Sequence, residues 1–239
     1  NNRFTEAAAD YGLGIQAYST QAAFFDYDHD GDLDCYLLVQ SDHEVDRYAD
    51  TSLRRKPGKL TGDRLLRNDN NHFNDCTAEA GIYNSPLGYG LGLSVADIDG
   101  DGWEDIYIGN DFHENDYYYH NEGNGRFTES GAQRFNHYSR FSMGNDIADI
   151  NNDGEPDLFT ADMLPEEEKF SKTYSAGESL DLYRFFIQRN GYQNQYSRNA
   201  LQLNLGKAKA FSDQALQYGV AATDWSWSPL LADFDNDGW

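Results

Sequence analysis

The chain has 239 residues, enough for one large domain with a substantial core, and its 39% hydrophobic and 15% aromatic content is too rich in rings for a disordered acidic tail. A formal net charge of -23 argues against nucleic-acid binding, which needs clustered Lys and Arg to displace counterions, and makes cations the expected partners. Two cysteines, Cys35 and Cys76, supply neither a disulfide framework nor a CxxC signature, and no apolar run approaches the ~18 residues that would make a transmembrane segment.

From the start of the chain, "NNRFTEAAADYG" lacks the basic and apolar regions of a signal peptide but introduces a motif that returns. Its Phe4 is matched by Phe73 in "NNHFNDCTAEAG", Phe127 in "GNGRFTESGAQR" and Phe211 in "AKAFSDQALQYG". Each Phe is followed by an apolar run into an acidic loop: "FFDYDHDGDLDCYLL", "VADIDGDGWEDIYIG", "IADINNDGEPDLFTA" and "LADFDNDGW". From Phe to the first Asp of the loop the distance is 22, 24, 22 and 22 residues, so the two motifs form one unit. From loop to next Phe it varies, at 47, 30 and 62 residues, which places insertions at one point of the unit.

Within the unit, "LGLSVADI" leads into the loop, "DIYIGN" leads out, "DYYYHNEG" ends in a Gly/Asn turn and "GRFTES" closes. These short β-rich runs predict four antiparallel strands, and a four-stranded repeat of about 50 residues matches a propeller blade. The expected fold is therefore all-β, a partial β-propeller of about four blades. Its expected parts are an outer strand at 1–8, blades at 18–80, 89–131 and 141–217, and the start of a further blade at 225–239, entered near Leu230. Stopping at Trp239 inside the fourth loop, the chain reads as a stretch of a longer propeller. Helix is expected only in the insertions at 51–66 and 165–192, the second spaced for one helix.

The loops carry the chemistry. Calcium takes six to eight oxygens, and DxDxDGxxD places carboxylates at alternate positions of a turning chain. In the first loop Asp26, Asp28 and Asp30 fill positions 1, 3 and 5, Gly31 makes the turn, Asp32 offers its carbonyl at position 7 and Asp34 closes at position 9. The second has Asp97, Asp99, Asp101, Gly102, the carbonyl of Trp103, and Asp105. The third has Asp149, Asn151, Asp153, Gly154, the carbonyl of Glu155, and Asp157, with Asn151 lowering its charge. The fourth has Asp233, Asp235, Asp237 and Gly238 and no closing acid. Acidic Asp/Gly turns are common for backbone reasons alone, but four in one register after an apolar run are not. An EF-hand would need Glu at position 12, where Leu37, Ile108 and Thr160 stand.

These loops resemble the calcium hairpins of FG-GAP/VCBS-type repeats, found in integrin α-subunit propellers and many secreted bacterial proteins. The strings "YIGNDF", "YYYHNEGNGRFTE", "LFTADMLPEE" and "ATDWSWSPLLADFDNDGW" are similar to large bacterial VCBS proteins related to cartilage acidic protein-like propellers. The resemblance implies about seven blades in the whole propeller and calcium bracing adjacent strands. It also implies a location at the cell exterior, the periplasm or the outer-membrane surface.

Other constellations are weaker. The histidines His29, His43, His72, His113, His120 and His137 lack ligand spacing and read as surface or packing residues, and no nucleophile elbow, P-loop or dinucleotide fingerprint occurs. Trp225 and Trp227 alternate along an expected strand, most simply as blade packing and otherwise as a carbohydrate platform. Arg54, Arg55, Lys56 and Lys59 read as a solvated basic loop, and Tyr117 to Tyr119 as strand core. Cys35 and Cys76 are expected on the second and fourth strands of one blade, a full strand apart and so unbridged. The sequence thus predicts a calcium-binding, exported, non-enzymatic scaffold for a protein or carbohydrate ligand. The alternative is the propeller part of a polysaccharide-degrading lyase or hydrolase.

Overall fold

The computed structural model describes residues 3–42, 48–174, 181, 184–207 and 209–238. Its frame is three four-stranded antiparallel sheets. The first holds β1 (Ser19–Phe25), β2 (Asp34–Val39), β3 (Arg64–Asn68) and β4 (Phe73–Asp75), in that order. The second holds β5 (Gly90–Ala96), β6 (Asp105–Asn110), β7 (Tyr117–Asn121) and β8 (Phe127–Glu129). After β9 (Tyr138–Ser139), the third sheet begins with β10 (Gly144–Ala148) and β11 (Asp157–Ala161). β12 (Gln195–Tyr196) then pairs in parallel with β9, and β13 (Ala200–Leu203) and β14 (Ser212–Asp213) complete the sheet. The first three acidic loops lie in the turns between the first two strands of their sheets.

Alternation along the strands binds the sheets together. Every residue of β6 is buried, because both of its faces are covered. Ile106 and Ile108 join Tyr117 and Tyr119 in a cluster with Tyr36, Leu38 and Leu65 of the first sheet. Tyr107 and Tyr118 face the other way, onto Phe135, Tyr138, Leu158 and Phe211. A period of two thus gives one strand to two cores, and each such side chain contributes roughly 1.5–3 kcal/mol by leaving water. The first strands pack in succession, β1 against β5 and β5 against β10. Gly92 permits the second approach, since a Cβ there would sit 2.8 Å from the Asn145 backbone nitrogen.

Several expectations change. Residues 3–7 form no strand and Phe4 is fully exposed, whereas Phe73 and Phe127 open strands β4 and β8 that pair with β3 and β7. A strand needs a hydrogen-bonded neighbour, and no strand pairs with the Phe4 segment among the described residues. The segment near Leu230 likewise joins no ladder. It runs beside β10, with the Leu231 N–H donating to Asp146 Oδ2 at 2.7 Å. The long insertion is not one helix. It holds an α-helix at Glu168–Tyr174 and a π-helical turn at Phe185–Arg189, while 175–180 and 182–183 lie outside the described residues. Single helical turns also follow the outer strands, at Gly131–Arg134 and Ala215–Tyr218, outside the insertions.

The basic run is not simply solvated. Arg54 donates to the fully buried Glu114 at 2.7 Å and lies 5.0 Å over the Tyr192 ring, and Arg55 lies 5.0 Å over Tyr83. Trp225 and Trp227 are 64% and 59% exposed. Cys35 and Cys76 are free and buried, with β3 between them. No helix among the described residues is long and apolar enough to cross a membrane.

Candidate metal centres

The loops adopt one backbone conformation. Position 4 is left-handed in all four, at His29, Gly100, Asn152 and Asn236 with φ between 55° and 71°. Position 6 is left-handed too, at Gly31, Gly102, Gly154 and Gly238 with φ from 90° to 98°, a region that only glycine enters without strain. The position-1 carboxylate holds each turn by accepting two backbone N–H groups. Asp26 accepts from Asp30 and Gly31 at 3.1 Å each, and Asp97 from Asp101 and Gly102 at 3.0 and 2.9 Å. Asp149 and Asp233 repeat the pair with Asp153 and Gly154, and with Asp237 and Gly238. Position 5 accepts from the position-7 N–H, as in Asp30 from Asp32, Asp101 from Trp103 and Asp153 from Glu155. The fourth loop therefore has the turn without a flanking ladder.

The closing acids are the most buried members: Asp34 is 1% exposed, and Asp105 and Asp157 are 0%. Burial pushes the Asp34 carboxyl up to about 7 and that of Asp105 to about 6, and raises Asp157 in the same direction. Each is clasped by two backbone donors. Oδ2 accepts from the position-2 N–H, of Tyr27 at 3.3 Å, Ile98 at 3.3 Å and Ile150 at 3.2 Å. Oδ1 accepts at 2.8 Å from the N–H of Asn68, Asn121 and Asn204 respectively, where the third strand of each sheet ends. The side-chain amide of the same asparagine donates to the position-8 carbonyl, of Leu33, Glu104 or Pro156. Sequence reading missed these asparagines. The signal was an Asn shortly before each Phe motif, read only as turn chemistry.

The donor set fits a cation. Asp28 Oδ1, Asp32 Oδ1 and Asp99 Oδ1 are buried oxygens with no hydrogen-bond donor. A buried carboxylate oxygen without a donor is costly unless a positive charge meets it. Burial raises the Asp28 carboxyl, and the Asp30 charge beside it adds to the shift. Ligand atoms of Asp26, Asp28 and Asp34 lie within 4.8 Å of one another, as do those of Asp233, Asp235 and Asp237. In the second loop the group so formed is Asp99, Asp101 and His120. His120 Nδ1 is 3.2 Å from Asp105 Oδ1 and 3.7 Å from Asp99 Oδ2, so this histidine belongs to the loop rather than to general packing. Its counterparts before Asn68 and Asn204 are Arg67 and Leu203, which makes the second loop distinct.

Adjacent loops also touch. The His29 ring stacks on Trp103 with centroids 3.9 Å apart, and Asn152 Nδ2 donates to the Gly238 carbonyl at 3.0 Å. His72 and His113 belong to none of the ligand groups found among the described residues, His137 pairs with Asp213 at 3.0 Å, and His43 lies outside the described residues.

No curated protein matches the chain. Among solved structures it is similar to an Agrocybe aegerita lectin, described for its specific recognition of non-reducing terminal N-acetylglucosamine, at 15% identity and a TM-score of 0.39. The match covers 87% of this chain and 42% of that one, so the chain spans less than half the lectin's length. Residues 97–160, from the first acid of the second loop through the third loop into β11, match the family model described as the FG-GAP-like repeat. On that match the chain carries an FG-GAP-like repeat.

Proposed function

We propose that this chain is a calcium-stabilised, non-enzymatic binding scaffold, in which the sheets are blades of a β-propeller and work outside the cytoplasm. The observation that carries the reading is the pair of buried, donorless oxygens on Asp28 and Asp99, set at position 3 of loops with left-handed residues at positions 4 and 6. Asp26, Asp28, Asp30, Asp34 and the Asp32 carbonyl would hold the ion in the first loop, and Asp97, Asp99, Asp101, Asp105 and the Trp103 carbonyl in the second. Asp149, Asn151, Asp153, Asp157 and the Glu155 carbonyl would serve the third, and Asp233, Asp235 and Asp237 the fourth. The ion supplies charge neutralisation and a brace between the first two strands of a sheet. The successive packing of β1, β5 and β10 supports the blade reading. The exposed Trp225 and Trp227 suit a protein or carbohydrate ligand.

The test is calorimetric titration with calcium, joined to thermal melting with and without EDTA. Extracellular modules bind with a Kd of ~0.1 to 1 mM, so at ~2 mM calcium a ~0.1 mM site adds roughly 1.8 kcal/mol. A strong fall in Tm on chelation is expected, with poor rescue by magnesium, whose small octahedral shell suits a wide loop badly. A Tm indifferent to EDTA in calcium-loaded protein would overturn the reading.

A further inference from the structure

The asparagines that clasp the closing acids also reach across to the neighbouring sheet. Asn121 Nδ2 donates to the Tyr27 carbonyl in the first loop at 2.9 Å, and Asn204 Nδ2 to the Ile98 carbonyl in the second at 2.8 Å. Tyr27 and Ile98 occupy position 2, between the ligand positions 1 and 3, and their own N–H groups bind the closing acids Asp34 and Asp105. One chain of contacts therefore runs from Asp34 through Tyr27 and Asn121 to Asp105, then through Ile98 and Asn204 to Asp157. Its side-chain members are sealed from water: Asn121 is 0% exposed and Asn204 1%, like the acids they join.

We propose that Asn121 and Asn204 are positioning residues that couple cation binding in adjacent loops, so that filling one loop tightens its neighbours. This rests on the calcium reading above. The physical reason is the placement of position 2. Drawing the carboxylates at positions 1 and 3 toward one ion fixes the peptide between them, and with it the carbonyl that the next sheet's asparagine holds. The backbone N–H of that asparagine sets the next closing acid. Because the contacts are buried, water cannot replace a bond that slips, and a shift at one loop is passed on rather than absorbed. In the first sheet Asn68 makes the same clasp, on Asp34 at 2.8 Å and on the Leu33 carbonyl at 3.1 Å.

The experiment reads calcium occupancy loop by loop, from the amide resonances of Gly31, Gly102 and Gly154 in the deuterated full chain. Asp99→Ala weakens the second loop. With Asn121 intact, this change should weaken calcium binding at Gly31 and at Gly154 by about fivefold or more, the low end of allosteric couplings. In the Asn121→Ala background the effect of Asp99→Ala on Gly31 should shrink to less than about twofold, the limit of additivity, while the effect on Gly154 persists through Asn204. General damage would not separate the two neighbours in this way. Should Asn121→Ala fail to fold, Asn204→Ala makes the mirror test, with Gly154 released and Gly31 still responding. Indifference of Gly31 and Gly154 to Asp99→Ala, or an equal response with and without Asn121, overturns the coupling while the calcium reading stands. If no glycine amide responds to calcium at all, the calcium reading itself falls and the coupling falls with it.

Discussion

The second and third sheets are built on one plan, yet differ at matched positions. At the loop end Asp105 and Asp157 make the same two backbone contacts, but Asp105 also accepts the Tyr118 hydroxyl at 2.8 Å and lies beside His120, where the third sheet has Leu201 and Leu203. At the opposite end Tyr107 donates to Asp116 at 2.7 Å, and Asp116 also accepts the Asn110 N–H at 2.8 Å. The first sheet repeats this with Tyr36, Asp63 and the Val39 N–H, each bond 2.9 Å. In the third sheet the tyrosine is Phe159 and the acid is Asn199, which still accepts the Asp162 N–H at 2.7 Å. Asn199 then spends its amide on the Val220 carbonyl and Thr223 Oγ1, each at 2.8 Å. The lesson is that donor and acceptor change together: a hydroxyl facing the site goes with a carboxylate, and its loss goes with an amide that can find other acceptors.

The comparison breaks most sharply at the closing acids. Asp105→Ala strands the N–H groups of Ile98 and Asn121 and the Tyr118 hydroxyl, and should cost about 3–5 kcal/mol in chemical denaturation. Asp157→Ala strands only two backbone donors and should cost visibly less. Equal losses would mean that the tyrosine contact adds nothing.

The next effect concerns pH. Burial pushes the carboxyls of Asp63 and Asp116 up to about 7, far above the ~3.9 of an unfolded Asp. Between those values the folded chain holds more protons than the unfolded one, so stability falls as pH rises from about 4 to about 7. Asp116→Asn, measured in EDTA to remove metal linkage, should flatten that fall by up to ~1.4 kcal/mol per pH unit. Asn199 does not titrate, so the matched position of the third sheet adds no such slope, and Asn199→Asp should add one.

A smaller effect is expected from Tyr107→Phe, which leaves the buried Asp116 short of a donor and should cost about 1–2 kcal/mol. Pairing it with Asp116→Asn imitates the third sheet and should recover part of the loss, whereas strictly additive costs would show that the matched exchange is coincidental. Smallest is the response to reductant. With Cys35 and Cys76 both free, dithiothreitol should leave the Tm unchanged, and thiol titration of the denatured, unreduced protein should find two thiols.

Much of the loop chemistry was legible in the sequence because it is local. Positions 1, 5 and 6 bond to one another within a few residues, so the spacing of Asp26, Asp30 and Gly31 carries the turn by itself. The strands of the second sheet were legible for a similar reason, since "DIYIGN" and "YYYHN" alternate faces over short distances. Asn121 and His120 were not, because an asparagine before a glycine is ordinary turn chemistry until its amide is seen against Tyr27 of another sheet. The Phe4 segment shares the motif of Phe73 and Phe127 but pairs with no strand among the described residues.

The sequence by itself determined the repeat, the loop geometry and the negative charge that loops of this kind concentrate, because each depends on residues close along the chain. Tertiary structure alone decided which oxygens lose every donor, which arginine meets a buried Glu114, and how one sheet's asparagine holds the next sheet's loop. These contacts join residues about 60 to 106 positions apart. Such pairings are set by how the sheets pack against one another, and no local pattern encodes the packing of a neighbour.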